Sequence, residues 1–157
     1  MIDYENLGYR EGIIAMVMDT DDNFLIVNLV DYKEREWNFP AGGREENETY
    51  EETLFRELNE ELSIKKEEIE ILGKSSFRLK YDFPYEVIKR NIERGRNFRG
   101  QIKEQYLVRY VGKKETIIPQ ESEIRSYKWI KREELKNHLH FNNQLSNTLK
   151  VLEELNF

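Results

Sequence analysis

The apolar positions alternate between short strand-like runs and two helical stripes. Arg10 to Met18 carries an unbroken apolar stretch (Ile13-Ile14-Ala15-Met16-Val17) after a lead-in over residues 1 to 9, and predicts a buried strand. The cluster Asp19-Thr20-Asp21-Asp22-Asn23 predicts a turn, and Phe24 to Val30 its hairpin partner. That acidic turn lacks the glycine and terminal glutamate of a calcium loop, so it reads as a plain turn. A polar loop over Asp31 to Glu36 leads into a short extended segment, Trp37 to Gly43, where Pro40 is expected to end ladder pairing. From Thr49 the period changes to that of a helix: Leu54, Leu58 and Leu62, with Phe55 beside them, form one stripe. Thr49 with Glu52 predicts a capping box at its start.

After a charged turn (Lys65 to Glu68), Ile69 to Lys80 predicts one or two strands, over 70–73 and 75–79. Tyr81 to Gly100 is expected to be an irregular loop. Gln101 to Val111 and Ile124 to Ile130 read as strands, separated by a loop. Lys131 to Leu135 opens a short helix, and Phe141 to Leu155 is a closing helix with Leu145, Leu149, Leu152 and Leu155 on its apolar face. Strands on both sides of one central helix, with a helix at the end, indicate an α/β or α+β sandwich.

Composition narrows the class. A chain of 157 residues with 38% hydrophobic and 36% charged residues is expected to form a single domain over 1–157, soluble and cytoplasmic. No run is long enough for a membrane span, and the N-terminus is not a signal peptide. The absence of cysteine excludes disulfides and thiolate metal sites, and only His138 and His140 supply imidazoles. The two histidines, like Tyr127 and Trp129, read as surface or packing residues. The net charge of −6 hides an asymmetry. Residues 78 to 103 hold eight basic side chains against three acidic ones, a net of +5, so the remainder carries −11. Such a segment either faces an acidic site and its polyphosphate substrate or is a solvated loop. Tyr81, Phe83 and Tyr85 within it could stack on a base or simply pack.

The helix carries the candidate chemistry. Glu57, Glu60 and Glu61 share a second face, where their carboxylates repel unless a cation sits among them. Arg56, within reach of Glu52 and Glu60, is one such cation. A divalent metal is the other, since hard oxygen ligands on a rigid helix suit Mg²⁺ or Mn²⁺. A solvated acidic face is the plain alternative. Gly42 and Gly43, just before the helix, allow positive φ and close approach of a ligand to the backbone.

The full spacing goes further. Gly42, Glu48, Arg56, Glu57, Leu58, Glu60, Glu61 and Ile64 match the Nudix box at every position but one, where Ser63 replaces glycine. The chain resembles a Nudix hydrolase, which implies a mixed sheet between helices. Gly8-Tyr9-Arg10, Trp37 to Gly43, Gly100-Gln101, Ser122-Glu123 and Leu139-His140-Phe141 make it most similar to bacterial RNA 5′-pyrophosphohydrolases and dinucleoside polyphosphate hydrolases. The resemblance implies that Glu57, Glu60 and Glu61 bind Mg²⁺ or Mn²⁺ or position the attacking water. It implies that Arg56 orients Glu57, that Glu123 completes the metal site, that Arg10 approaches phosphate and that Phe141 stacks on a base.

Departures bear on the substrate. Ser63 stands where glycine suits a left-handed helix end, but removes no ligand. Asn28-Leu29-Val30 and Asn142-Asn143 replace basic residues of the RNA enzymes. The implied reaction is hydrolysis of a phosphoanhydride in a nucleoside-linked polyphosphate, with RNA 5′ ends or dinucleoside polyphosphates as substrates. The proton acceptor stays open between Glu57 and an acid outside the box. Alternatives are a nucleoside triphosphate pyrophosphatase, a nucleotide-sugar hydrolase or a non-catalytic Nudix-fold binding module; intact Arg56, Glu57, Glu60 and Glu61 argue against the last.

Overall fold

The computed structural model describes residues 2–157. Its centre is a seven-stranded mixed sheet built on two long strands that run parallel, β1 (Gly8–Met18) and β6 (Phe98–Tyr110). Around them lie β2 (Phe24–Leu29), β3 (Ala41–Gly43), β4 (Ile69–Lys74), β5 (Leu79–Asp82) and β7 (Ile124–Ile130), in the order β4-β6-β1-β2-β7. β3 pairs with the middle of β1 and β5 with the early half of β6, both antiparallel. The helices are α1 (Tyr50–Leu62), α2 (Tyr85–Glu93) and α3 (Gln144–Glu154).

β1 is apolar on both faces because both are covered. Ile13, Ala15 and Val17 pack with Leu54, Leu58 and Leu62 of α1; Ile14, Met16 and Met18 pack with Val151 and Leu152 of α3. The sheet is therefore sandwiched between helices, as the sequence implied. All three leucines of the α1 stripe are fully buried. Asp19 closes the first hairpin turn, accepting the amides of Asp21 (2.9 Å) and Asn23 (2.8 Å), and pairs with Lys114. That turn is a structural one, as expected.

Four expectations need correction. Residues 85–93 form α2 rather than irregular loop, with Ile88 buried and Pro84 at its start. Dense charge hid an apolar stripe of Ile88 and Ile92 at helical spacing. The second strand of the 69–80 region lies at Leu79–Asp82, not 75–79. Ser75 and Ser76 instead bend to meet Glu154, the Ser75 hydroxyl donating at 2.7 Å. In α3, Leu145, Leu152 and Leu155 pack inward as expected, joined by Thr148 and Val151, while Leu149 is 39% exposed. At the start of α1, Thr49 Oγ1 accepts the Glu52 amide (3.1 Å), but Arg56 turns to Glu48 and not to Glu52.

Ser63 ends α1 at φ 58°, ψ 28°, the left-handed conformation. An L side chain there is strained by about 1 kcal/mol, and its hydroxyl gains only a long 3.3 Å bond to the Ile118 carbonyl. Ser63→Gly should therefore raise stability by about 1 kcal/mol, or about 3 °C in Tm for a chain of this size. A thermal melt reads this directly; a lower Tm would show that the Ile118 bond outweighs the strain.

Candidate active site

The site is built where α1 passes beneath β3. Arg56 grips Glu48 with two donors, Nε at 2.7 Å and Nη2 at 2.9 Å, and Nη2 also reaches the Gly43 carbonyl at 2.8 Å. A two-pronged guanidinium–carboxylate pair fixes orientation as well as charge. Thr53 adds its hydroxyl to Glu48 at 2.6 Å. Together these bonds hold the Glu48 carboxyl down at about 2 and raise the Arg56 guanidinium further, so both stay charged. The remaining nitrogen, Nη1, points at Glu57 (2.9 Å) and Glu60 (3.2 Å). Arg56 is thus a clamp between the glycine loop, Glu48 and the acidic face of the helix.

Gly42 and Gly43 use the room that glycine leaves rather than its left-handed backbone freedom. They are extended residues of β3, and among the described glycines only Gly95 has positive φ. Their role is steric. A Cβ on Gly42 would fall on the Glu57 carboxylate, and one on Gly43 on the Arg10 guanidinium. Gly42→Ala must displace Glu57. If Glu57 acts in catalysis, a shift of this kind should lower kcat/KM about a hundredfold with the circular-dichroism spectrum unchanged. Full activity would show that the Glu57 position is not critical.

Glu61 is the unusual member of the cluster. It is only 6% exposed, and its Oε2 is buried without a hydrogen-bond partner. Burial, then the negative charges of Glu57 and Glu123, push its carboxyl up to about 9; Lys103 pulls the other way. Burial also raises the Glu57 carboxyl, against the pull of Arg56. Glu123 lies in the turn before β7. That turn is tied to the end of α1 by backbone bonds from Ile118 to Leu62 (3.0 Å) and from Gln120 to Glu61 (2.8 Å). Sequence-distant Glu123 is thereby brought up to the helical carboxylates. Among the described residues no three acidic or imidazole side chains are already gathered closely enough to hold an ion. The donor set nevertheless fits a hard divalent cation: oxygen ligands only, one of them buried and unpartnered, with Arg56 already committed to Glu48.

A cleft of about 310 Å³ opens above Glu61, Gly42 and Gly43. Arg10 and Lys103 line it, and so do the rings of Tyr32, Phe39, Tyr81 and Phe83. Tyr81 donates to Gln101 Oε1 at 2.6 Å, leaving the Gln101 amide nitrogen available in the cleft. Burial lowers Lys103 to about 8, with Glu61 and Glu57 opposing that shift. Of the basic segment, Lys103 is the residue that lines this cleft. Arg99 turns instead to Asp82 (3.0 Å) and the Tyr9 ring, so the segment as a whole does not face the acidic helix. Phe141 sits outside the cleft wall, edge-on to Tyr32 at 5.1 Å.

Sequence reasoning weighed Tyr81 and Phe83 but missed Tyr32 and Asn38. No spacing rule links the 31–38 loop to a cleft lined also by residues of β1, β3, β5 and β6. Asn28 has a structural task here. It is buried, donates to the carbonyls of Lys33 (2.9 Å) and Glu36 (2.7 Å), and accepts from Arg125 at 2.9 Å. It therefore shapes the loop that carries Tyr32. His138 and His140 bond to backbone carbonyls at 2.8 Å, in keeping with a packing role. No helix among the described residues is long and apolar enough to cross a membrane.

Comparison with known proteins agrees with this architecture. The NUDIX domain profile matches residues 8–151. An RNA pyrophosphohydrolase of Zymomonas mobilis is 33% identical over 133 residues, covering 83% of this chain and 84% of its own. One of Sphingopyxis alaskensis is 30% identical over 132 residues, covering 83% and 82%. Among solved structures, the C. elegans Ap4A hydrolase binary complex superposes with a TM-score of 0.70 at 16% identity, covering 94% of this chain and 98% of its own. The E. coli dihydroneopterin triphosphate pyrophosphohydrolase does so with a TM-score of 0.71 at 15% identity, covering 93% and 99%. These two share the fold. With the box glycine, glutamates and arginine assembled on one loop and helix, the chain belongs to the NUDIX domain family and is a Nudix-type pyrophosphohydrolase.

Proposed function

We propose that this single domain hydrolyses a phosphoanhydride bond of a nucleoside-linked polyphosphate, with triphosphorylated RNA 5′ ends as the preferred substrate and dinucleoside polyphosphates next. The observation that carries this is the unpartnered buried Oε2 of Glu61 at the base of a cleft whose walls also present Arg10 and Lys103. An orphaned acid beside cationic walls is what a metal-bridged phosphate chain requires. The RNA preference draws support from the two bacterial relatives named as RNA pyrophosphohydrolases.

Glu57, Glu60, Glu61 and Glu123 would hold Mg²⁺ or Mn²⁺, which supplies charge neutralisation on the phosphates and acidifies a water. The protein does the rest. Arg56 keeps Glu57 and Glu60 aligned through Nη1 while Glu48 holds the guanidinium still. Lys103 and Arg10 meet phosphate oxygens, and the Gly42–Gly43 backbone allows close approach. The base stacks among Tyr32, Tyr81 and Phe83, with Phe141 supporting Tyr32 from outside. The proton of the attacking water passes to a carboxylate of this cluster. Glu57→Gln and Glu123→Gln, compared across pH, separate the two acceptors: the one whose loss flattens the acid limb of the rate profile is the base.

The test is a substrate panel in Mg²⁺ buffer, holding triphosphorylated RNA, dinucleoside polyphosphates, nucleoside triphosphates and nucleotide sugars, with product identification. We expect the highest kcat/KM on triphosphorylated RNA. Higher values on free triphosphates or nucleotide sugars would overturn the RNA preference, and no turnover on any member would overturn catalysis.

A further inference from the structure

The wall of the cleft that carries Tyr32 is not held by the sheet alone. Tyr32 and Asn38 line the cleft from the loop between β2 and β3, and Phe141, from the turn before α3, packs edge-on to Tyr32 at 5.1 Å. One side chain joins these two segments. Gln144 is the first residue of α3, and Asn143 before it takes the left-handed conformation at φ 62°. The Gln144 amide nitrogen donates to the Trp37 carbonyl at 2.8 Å and to Asn38 Oδ1 at 3.1 Å. Its amide oxygen accepts the Phe141 backbone amide at 3.1 Å. The bond to Phe141 spans three residues and alone would be only a tie at the helix start. Those to Trp37 and Asn38 span 107 and 106 residues and cross between segments. Gln144 itself is not among the residues that line the cleft.

Asn38 is a fixed link in this chain. Its backbone exchanges both hydrogen bonds with Val27, at 2.8 and 3.0 Å. Its Oδ1 accepts the Phe39 amide at 2.8 Å as well as Gln144. With the oxygen taken twice, the nitrogen is the end left to face Tyr32. Burial raises the Tyr32 hydroxyl, and the Asn38 side chain beside it pulls the other way, as a donor to the phenolic oxygen does.

We propose that Gln144 is a positioning residue for base binding: it holds Asn38, and through it Tyr32, in register with Phe141, so that the two rings stand as one preformed aromatic wall. This role rests on the reading given above, in which the base stacks on Tyr32. A preformed surface binds more tightly because its ordering is complete before the ligand arrives. Without the Gln144 amide, Tyr32 stands on a loop with one tie fewer. Affinity for the base then falls, while the phosphate end at Glu61, Arg10 and Lys103 keeps its own supports.

The experiment sets hydrolysis of a 5′-triphosphorylated octanucleotide RNA beside competitive inhibition by inorganic tripolyphosphate, which has phosphates and no base. Gln144→Leu should raise KM for the RNA about tenfold, with kcat within about twofold, and leave the tripolyphosphate inhibition constant unchanged. Gln144→Glu keeps the oxygen that Phe141 uses and removes the donor that Trp37 and Asn38 use, so it should raise KM in the same way. Tyr32→Ala should raise KM at least as much, and adding Gln144→Leu to it should have no further effect, because both act through one ring. Unchanged KM in both Gln144 variants, an equal weakening of tripolyphosphate, or additive losses in the double variant would overturn the positioning role. A lower Tm with normal KM would reduce Gln144 to a structural tie. If no triphosphorylated RNA is hydrolysed, the functional reading fails, and calorimetric binding of the octanucleotide against tripolyphosphate decides the role of Gln144 by the same comparison.

Discussion

Glu60→Gln is expected to lower kcat by about three orders of magnitude, equivalent to about 4 kcal/mol of lost transition-state stabilisation, while leaving Tm nearly unchanged. The two outcomes come from the same geometry. The Glu60 side chain is 52% exposed, and its partner is Arg56 Nη1 at 3.2 Å, one turn back along the helix. A half-exposed pair of this spacing is worth about 0.3–0.5 kcal/mol, so stability has little to lose. Arg56 keeps its stronger bonds to Glu48 and Gly43 and stays in place. Activity has much to lose if Glu60 is a metal ligand, because glutamine keeps the shape and removes the charge. Steady-state turnover on the best panel substrate, paired with a thermal melt, reads both. Near-normal turnover would remove Glu60 from the ligand set.

Most of the acidic face could be read in the sequence because it is local. Glu57, Glu60 and Glu61 lie within two turns of one helix, and helical geometry alone places them together. Gly42, Glu48 and Arg56 are joined by a fixed box spacing. The strands β1, β2 and β7 were equally legible, since their apolar runs are long and bounded by turns. What stayed hidden depends on pairing between distant segments. Lys103 reaches the cleft because β6 runs beside β1, with Gly12 opposite Lys103 and Arg10 opposite Gln101. Tyr32 reaches it because buried Asn28 ties down its loop. α2 escaped notice because its charged residues are as many as its apolar ones and are interleaved with them. At Gly42 and Gly43 the sequence leaves two uses of glycine open, and the missing side chain serves the close packing of Glu57 and Arg10, not an unusual backbone.

The second large effect is on stability without metal. The wild type in chelator should lose Tm as pH rises from about 5 to 8, and Glu61→Gln should abolish most of that loss. The sign follows from proton binding. The Glu61 carboxyl lies at about 9 in the folded chain against a reference of 4.5. Between those values the folded state binds more protons than the unfolded one, so stability falls with rising pH. By pH 7 the ionisation strain from this one group would be about 3 kcal/mol at the upper limit, from the conversion of about 1.4 kcal/mol per unit. Of the neighbouring groups, Glu57, raised by burial against the pull of Arg56, loses stability in the same direction, whereas Glu48 and Lys103 do not share the window. Glu48, held at about 2 chiefly by Arg56, contributes stability that is present above 4.5 and lost as pH falls toward 2. Lys103, lowered to about 8 by burial, adds stability only as pH rises from 8 toward its reference of 10.5. The loss between pH 5 and 8 therefore comes from Glu61 and Glu57, and the part removed by Glu61→Gln is the part tied to Glu61. Glutamine at 61 keeps the volume, carries no charge to bury and should raise Tm at pH 8 while hydrolysis falls sharply. Restoring Mg²⁺ should rescue the wild-type Tm at pH 8 and leave the Glu61→Gln melt where it was. A wild-type melt flat across this range, or a Glu61→Gln variant with the same slope, would mean that the buried carboxyl is already neutralised within the fold.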